Sequence, residues 1–394
     1  MDVTIPGIPA EYDAYRERLQ AFLASHRPMI KMPPMVGVRM PESRADLEEL
    51  RGWVASLHDA GFVLTRFTEE PGDPFEQRIL EEELAASGLP YILGNPLVAG
   101  AIKMFGTPEQ RHRYLPPIAR GDHIWTQLFS EPDAGSDLAS LKTRARRDGD
   151  DYVVDGQKVW STWAPFADFG YLLARSEAEP GPRGITAFIL DMRSEGVETR
   201  PLREMTGTAD FSEVFFDGVR VPAANVIGAP GEGWKVANAS LAVERGGVGG
   251  LDSDDVVHGL VRLARNHRRG GRPALEDSAV RQQLAAFAAR ARIQRALGYR
   301  VATKAAAGTS DVWDAPLMKI WGSELNLETA EYGLELQGAR SALSDADPLV
   351  AEGGHWQDAF LYARALTIAG GSNEIMRNLI AERGLGLPRE PRGA

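Results

Sequence analysis

The chain has 394 residues, no cysteine and a formal net charge of −11. This length suits two or three domains, and 43% hydrophobic with 25% charged residues is the composition of a folded protein rather than a disordered one. Without cysteine, the chain has no disulfide scaffold, thiolate zinc site, cysteine nucleophile or cysteine-held iron–sulfur cluster. Its acidic balance argues against a general nucleic-acid binder.

Export and membrane signals are not apparent in the sequence. The first twenty residues carry acids and prolines where a secretory signal has a basic patch and an apolar core. The longest uncharged run, Leu84 to Ile102, approaches the length of a membrane span, but prolines, glycines and a serine interrupt it. We therefore expect a cytoplasmic protein that does not insert into a membrane.

Residues 1–123 mix apolar and charged residues at helical spacing, which predicts an N-terminal helical domain. The expected helices cover Tyr12 to Leu23, Ser43 to Ala60, Pro74 to Ser87 and Pro108 to Ile118. Thr107 is the expected N-cap of the last helix, because proline favours the first helical turn and threonine favours the position before it.

Residues 124–236 change to short β-branched and aromatic runs, which predict a β domain. Two Asp-Gly pairs, Asp155-Gly156 and Asp217-Gly218, each stand between two such runs and predict two tight hairpins. Further strand-like runs cover Gly170 to Ala174 and Ile185 to Leu190.

Residues 237–394 are rich in Ala, Leu and Arg, and they predict a C-terminal helical bundle. One helical stripe consists of Val280, Leu284, Phe287 and Ala291. The predicted order is therefore helices (1–123), an antiparallel sheet (124–236) and helices (237–394), an α+β multidomain class. This order differs from the alternating strands and helices of a parallel nucleotide-binding sheet.

Several common catalytic motifs are absent from the sequence. It contains no glycine-rich dinucleotide fingerprint, P-loop, zinc-protease motif or nucleophile elbow. Its seven histidines never stand three or four residues apart, so no metal site is expected.

The most informative stretch is 125–162. It contains the loop Ser130-Glu131-Pro132-Asp133-Ala134-Gly135-Ser136-Asp137 and the later run Gln157-Lys158-Val159-Trp160-Ser161-Thr162. Serine hydroxyls and backbone amides beside Gly135 could hold a phosphate, and Trp160 with Thr162 could face a flat heterocycle. On these residues alone, a turn followed by a core tryptophan is the simpler interpretation.

Together with further motifs in a shared order, this stretch resembles the acyl-CoA dehydrogenase family over nearly the whole chain. The further motifs are Phe105-Gly106-Thr107-Pro108-Glu109-Gln110, Phe215-Phe216-Asp217-Gly218-Val219-Arg220-Val221-Pro222, Gly231-Glu232-Gly233-Trp234 and Ile368-Ala369-Gly370-Gly371-Ser372-Asn373-Glu374-Ile375. The resemblance implies a β-barrel-like middle domain between two helical domains. It also implies that FAD is the cofactor and that a proton and a hydride leave an acyl-CoA thioester, which produces an α,β double bond.

The resemblance implies FAD contacts from the loop, from the tryptophan strand and from the C-terminal segment. The residues are Gln127, Leu128, Ser130, Ser136, Trp160, Ser161, Thr162, Gly338, Ser372 and Glu374. Ser136 would contact the pyrophosphate, and Trp160 with Thr162 would stand against the flavin face and N5. The alternative is that these are ordinary residues at the ends of strands and helices.

The base that removes the proton departs from the commonest family pattern. Many members carry a catalytic Glu in the loop before the last helix, where this chain has Gly370. Another subset places the base on an earlier helix directly before an Arg, which matches Glu244-Arg245. The resemblance thus implies Glu244 as the base, Arg245 as its positioning neighbour and the Gly370 amide as an oxyanion donor. The alternative is that Glu244 is a surface acid.

A basic segment interrupts the acidic average, since residues 262–300 contain ten arginines and two acids. Without a nucleic-acid motif, a solvated helix face or a subunit contact is expected. Many relatives use an Arg-aromatic-Gly segment here to reach the FAD of a neighbouring subunit, and Arg268-Arg269-Gly270-Gly271-Arg272-Pro273 does not reproduce it. Gln337-Gly338-Ala339-Arg340 replaces a more glycine-rich loop, so weaker cross-subunit contacts are expected.

Three functions fit these observations. The first is an FAD-dependent acyl-CoA dehydrogenase, a dimer or tetramer that passes electrons to an electron-transfer flavoprotein. The second is a weak or inactive partner subunit of a heteromeric acyl-CoA dehydrogenase. The third is a dehydrogenase or oxidase of the same fold that acts on a carrier-protein thioester. The acyl group cannot be read from sequence, because pocket depth depends on helix packing.

Overall fold

A computed structural model describes residues 8–28, 40–41, 43–63, 67–69, 72–87, 95–247, 253–343 and 347–389. Its elements follow the predicted order of helices, sheet and helices, which confirms the fold class. None of the helices in these ranges combines the length and apolarity needed to cross a bilayer.

The described residues of the N-terminal part include the helices α1 (Asp13–Ser25), α2 (Arg44–Asp59), α3 (Pro74–Ser87), α4 (Pro96–Phe105) and α5 (Pro108–Arg120). Of these, α4 was not predicted; the uncharged run spans the end of α3, undescribed residues 88–94 and most of α4. Thr107 caps α5 as expected: its hydroxyl accepts the Gln110 N–H at 3.2 Å, and the Gln110 side chain accepts the Thr107 N–H at 3.1 Å. The same Gln110 amide donates to the Val226 carbonyl at 2.9 Å, which ties α5 to the sheet.

The middle part is one eight-stranded sheet. Its strands are β1 (Trp125–Leu128), β2 (Arg144–Asp148), β3 (Asp151–Thr162), β4 (Phe169–Arg175), β5 (Ile185–Asp191), β6 (Val197–Leu202), β7 (Phe211–Pro222) and β8 (Val226–Ile227). The strand order is β6-β7-β3-β2-β4-β5-β8, with β1 paired to β4. Most pairs are antiparallel, but β1 and β2 run parallel to β4. The sheet is therefore mixed and open, where an antiparallel and barrel-like sheet was expected.

The predicted hairpins at Asp155-Gly156 and Asp217-Gly218 are wrong. Both pairs lie inside long continuous strands, β3 and β7, which pair with each other. Asp155 of β3 faces two residues of β7, Asp217 and Gly218, and Gly218 donates its N–H to Asp155 Oδ1 at 2.8 Å. Gly218 has φ +62°. A glycine with positive φ can close a tight turn. In this sheet the strands continue on both sides of Gly218, so the glycine forms part of a β-bulge instead.

The C-terminal part is built around one central helix. The elements are α6 (Gly233–Gly247), α7 (Ser253–Asn266), β9 (Arg268–Arg269), β10 (Arg272–Pro273), α8 (Ser278–Ala306), α9 (Asp314–Gln337), α10 (His355–Ile368) and α11 (Asn373–Leu379). Helix α9 packs against α6, α7, α8, α10 and α11. Trp356 of α10 covers Gly333 of α9, where a Cβ would lie 2.3 Å from the indole. The predicted stripe on α8 is buried, and the domain limits at 123 and 236 stay predictions.

Candidate functional site

Trp160 is an exposed aromatic residue near the end of β3. Its side chain is 59% exposed, so it is not a core tryptophan. At this point Val159 and Trp160 together face Glu213 of β7, and the resulting bulge gives Trp160 a φ of +61°. A non-glycine residue in this region is strained, and such strain concentrates at functional sites. Phe211 supports the indole edge-on, with ring centroids 5.9 Å apart.

The two residues after Trp160 point in different directions. Ser161 is fully buried, and its hydroxyl has no hydrogen-bond partner among the described residues. Thr162 is half-buried and follows Trp160 by two residues. Ser161 could therefore offer a cofactor only its backbone, whereas Thr162 could offer its hydroxyl.

The predicted loop residues adjoin this strand. Gln127 is half-buried on β1 opposite Tyr171 of β4. Leu128 is fully buried, so its side chain belongs to the core. The Ser130 carbonyl accepts the N–H of Val159 at 2.9 Å, which joins the loop to β3 next to Trp160. Ser136 is exposed on the same loop.

Sequence reasoning missed the ion pair that lies beneath this loop. Lys158 is fully buried, and its Nζ lies 2.8 Å from Glu131 Oε1 and 2.9 Å from the Phe129 carbonyl oxygen. The same carboxylate accepts the backbone N–H groups of Lys142 at 2.6 Å and Thr143 at 2.9 Å. The sequence signal that could have revealed this pair is a lysine at an inward-facing position of β3.

Burial and pairing act on these two groups in opposite ways. Burial lowers the pKa of Lys158 from its ordinary 10.5 to about 8, although Glu131 opposes this shift. Burial also works against ionisation of Glu131, but Lys158 and the hydrogen bonds to Thr143 and Lys142 outweigh it and lower the pKa of Glu131. Glu131 is therefore ionised at neutral pH and poorly suited to act as a base.

The expected base stands on α6, which packs against β5, α4 and α9. Glu244 and Arg245 belong to this helix, but their side chains lie outside the described residues. One turn earlier, the buried Ser240 hydroxyl is 3.3 Å from the hydroxyl of Tyr171, the β4 residue opposite Gln127. Positions 240 and 244 share one face of the helix. The expected base thus stands one helical turn after a residue that contacts β4.

Gly370 and Gly371 form the turn between α10 and α11, and both have positive φ, +66° and +90°. Lys319 of α9, also buried, donates to the Thr367 carbonyl at 3.0 Å and to Asn373 Oδ1 at 2.7 Å. These two bonds clamp the chain on both sides of the turn. Sequence reasoning missed Lys319 as well.

The next predicted residues begin α11. The Ser372 hydroxyl caps this helix by accepting the Ile375 N–H at 3.4 Å. Glu374 is exposed, and hydrogen bonds from its own backbone N–H and from Ser372 lower its pKa. A carboxylate with a lowered pKa is a weak base, so Glu374 does not replace the acid missing at Gly370.

Gly338 lies apart from this turn. Lys319 and Ser323, which contact Asn373, stand in the first half of α9, whereas Gly338 follows its last residue. Gly338 is therefore about 23 Å from Ser323 and about 28 Å from Lys319 along the helix axis. Gly338 would therefore have to reach a different part of a cofactor from Ser372, or a different cofactor molecule.

The basic segment is partly engaged within the chain and partly exposed. Ion pairs join Arg262 to Glu352 at 2.9 Å and Arg295 to Glu82 at 3.5 Å. The exposed arginines at the end of α7 and on the β9–β10 hairpin are Arg265, Arg268, Arg269 and Arg272.

Comparison with known proteins gives matches along the whole chain. Three domain families match in order: acyl-CoA dehydrogenase N-terminal domain over 10–122, middle domain over 126–219 and C-terminal domain over 231–385. Acyl-CoA dehydrogenase IpdE1 of Mycobacterium tuberculosis is 37% identical over 358 residues, which are 88% of this chain and 90% of that protein. Acyl-CoA dehydrogenase FadE34 of the same organism is 36% identical over 95% of this chain but 51% of its own length, so the chain spans about half of it.

Solved structures give the same result. The Tcur3481-Tcur3483 steroid ACAD has a TM-score of 0.82 and 28% identity, covering 98% of this chain and 100% of that chain. The ChsE4-ChsE5 complex from Mycobacterium tuberculosis has a TM-score of 0.81 and 29% identity, covering 99% of this chain and 100% of that chain.

Proposed function

The chain belongs to the acyl-CoA dehydrogenase family, and we propose that it is an FAD-dependent enzyme in which Glu244 removes the α proton of an acyl-CoA thioester. The activity known at family level is dehydrogenation of an acyl-CoA. The observation that carries the proposal is Trp160, exposed and strained beside Thr162 at the end of β3. An indole held in this way offers a rigid flat surface to a flavin.

The chemistry of the surrounding residues fits FAD. The exposed Ser136 and the backbone amides near Gly135 suit a pyrophosphate. The half-buried Gln127 and Ser130 suit the polar edge of the ring system. FAD, when bound, would accept the hydride that leaves the β carbon of the substrate.

Proton removal falls to Glu244. An α proton beside a thioester is weakly acidic, so its base needs a carboxylate whose pKa has been raised by desolvation. Glu131 is paired with Lys158, and Glu374 has a lowered pKa. Position 244 stands one helical turn after Ser240, which contacts Tyr171 of β4, and Arg245 next to it is the proposed positioning group. The amide of Gly370 is the proposed donor to the developing enolate oxygen.

For the substrate, we propose a bulky ring-containing acyl-CoA, because the steroid ACAD covers the same fold over its whole length. Heteromeric assembly is proposed on the precedent of the ChsE4-ChsE5 complex. The departures at 268–273 and 337–340 from the segments with which many relatives reach a neighbouring subunit's FAD favour a heteromeric partner over a second copy of this chain. An electron-transfer flavoprotein is the proposed electron acceptor.

Anaerobic titration with acyl-CoA esters tests the function. The purified protein, alone and co-purified with a homologous subunit, is titrated with straight-chain, branched and steroid-derived esters while the oxidised flavin band is followed. We expect bleaching by a ring-containing ester. Protein that is colourless alone, and a complex that bleaches equally well with Glu244→Gln in this chain, would identify an inactive partner subunit instead.

The base assignment is tested by Glu244→Gln. We expect the rate of flavin reduction to fall about a hundredfold or more, because the amide cannot accept the α proton. Glu198→Gln is the matched control, since Glu198 is an exposed carboxylate of β6 paired with Arg200. Flavin reduction at the wild-type rate in Glu244→Gln would contradict the assignment.

A further inference from the structure

One carboxylate joins three separate segments of the middle domain. Glu131 accepts hydrogen bonds from Lys158 on β3 and from the backbone of Lys142 and Thr143 just before β2. Its own backbone is fixed by reciprocal bonds with Ala134, both 3.0 Å. Residues 129–143, here called the cofactor loop, are thereby closed at both ends and attached to β3.

The proposed FAD residues stand next to these attachment points. Ser130 lies between Phe129 and Glu131, both of which contact Lys158. Ser136 lies inside the closed loop, and Trp160 follows Lys158 by two residues. Any shift of Lys158 relative to Glu131 would therefore change the spacing between the loop and the indole.

The two charged groups cannot themselves reach a cofactor. The side chain of Lys158 is fully buried and that of Glu131 is 6% exposed. Replacing a buried ion pair by uncharged residues of similar size is often neutral for stability or favourable, so stability alone does not account for the pair. Accurate placement of neighbouring groups is the other role that a buried pair can have.

We propose that the Lys158–Glu131 pair is the positioning element that holds the cofactor loop at a fixed distance from Trp160, so that one molecule of FAD contacts both. This inference rests on the proposed function for the identity of the ligand. It assigns no chemical step to either residue. The two residues govern FAD affinity by holding the cofactor loop in place.

The test compares Lys158→Met, Glu131→Gln and the double variant, because these changes remove charge and nearly keep side-chain size. Arg220→Met is the control: Arg220 is an exposed cation of β7 whose ion pairs with Asp148 and Asp151 lie on the same sheet. For each protein, FAD affinity is measured on flavin-stripped protein by the visible flavin spectrum. The urea midpoint and hydrogen exchange of residues 129–143 are measured on the same flavin-free protein.

We expect each pair variant to bind FAD about tenfold more weakly or worse, with faster hydrogen exchange in the cofactor loop. The double variant leaves no buried charge without its partner, so we expect its urea midpoint to stay near that of the wild type while its FAD affinity remains low. A loss of FAD affinity without a loss of stability identifies a positioning role. Arg220→Met should match the wild type in all three measurements.

Two results would overturn the proposal. One is a double variant whose loop exchanges hydrogen at the wild-type rate. The other is a double variant that keeps wild-type FAD affinity. Because exchange is measured without cofactor, it decides the positioning role even if the wild type binds no FAD, a result that would count against the proposed function alone.

Discussion

Two buried lysines hold the two halves of the candidate site, and their partners differ. Lys158, in the sheet, meets the Glu131 carboxylate and a backbone carbonyl. Lys319, in α9, donates to the Thr367 carbonyl and to the side-chain oxygen of Asn373. The first attaches a loop to a strand, and the second clamps a glycine turn between two helices onto a third helix.

This comparison indicates where the site depends on long-range contacts. Burying an ammonium group is unfavourable unless its hydrogen bonds are satisfied. In the helical half Lys319 bonds to oxygens on either side of the Gly370-Gly371 turn. In the sheet half Lys158 bonds to oxygens of the residues on either side of Ser130. The sheet half uses an ion pair, whose balance depends on pH, whereas the described bonds of the helical half go to oxygens that do not titrate.

The largest expected effect on stability is that of Lys319→Met. The variant removes the donor to the Thr367 carbonyl and leaves Asn373 Oδ1 with the Ser323 hydroxyl as its donor. Buried acceptors that lose a charged donor lower the free energy of unfolding by about 2 to 3 kcal/mol. Urea unfolding measures this change. Lys235→Met, at an exposed position of α6, is the control and should stay within about 0.5 kcal/mol of the wild type.

Wild-type stability after Lys319→Met would show that the turn at Gly370 does not depend on this clamp. Lys319 would then not be needed to hold the helical half of the site. Hydrogen exchange of residues 367–375 in the same variant would locate the loss of structure, if there is one, at the turn.

A pH dependence separates the two lysines further. Burial lowers the pKa of Lys158 to about 8 in the folded chain, against an ordinary 10.5 when unfolded. Between these values the unfolded chain holds a proton that the folded chain has lost, so the free energy of unfolding rises with pH. The contribution of Lys158 is complete above about pH 10.5 and is lost as the pH falls through about 8. It amounts to about 3 kcal/mol.

The measurement is urea unfolding of the wild type and of Lys158→Met from pH 7 to pH 10.5. We expect the stability of the wild type to rise relative to the variant across this range. Parallel curves would mean that Lys158 has an ordinary pKa. Its bonds to Glu131 and to the Phe129 carbonyl would then offset the full cost of burying the ammonium group.

Local signals in the sequence predicted much of the fold. The cap at Thr107 and the helix starting at Pro108 were predicted because their determinants lie within four residues of each other. The Asp-Gly hairpins were wrong because the same dipeptide serves a turn or a bulge, and the partner strand decides which forms. Both buried lysines were missed because Lys158 and Glu131 are 27 residues apart, and Lys319 and Asn373 are 54 apart.

The smallest expected effect concerns backbone strain, in which the two halves also differ. The turn clamped by Lys319 has glycines at its two positive-φ positions, Gly370 and Gly371, whereas β3 of the sheet half has Trp160 at φ +61°. A side chain in this region costs about 1 kcal/mol relative to glycine. Trp160→Gly and Trp160→Ala both remove the indole, but only glycine relieves the strain.

We therefore expect flavin-free Trp160→Gly to be more stable than Trp160→Ala by about 1 kcal/mol in urea unfolding, with FAD binding weakened about tenfold in both. Equal stability of the two variants would mean that the bulge relaxes once the indole is gone. The strain would then be imposed by the packing of Trp160 against Phe211 rather than by the register of β3 and β7. The sheet half would store its strain in a side-chain contact, and the difference from the helical half would lie in packing instead of backbone geometry.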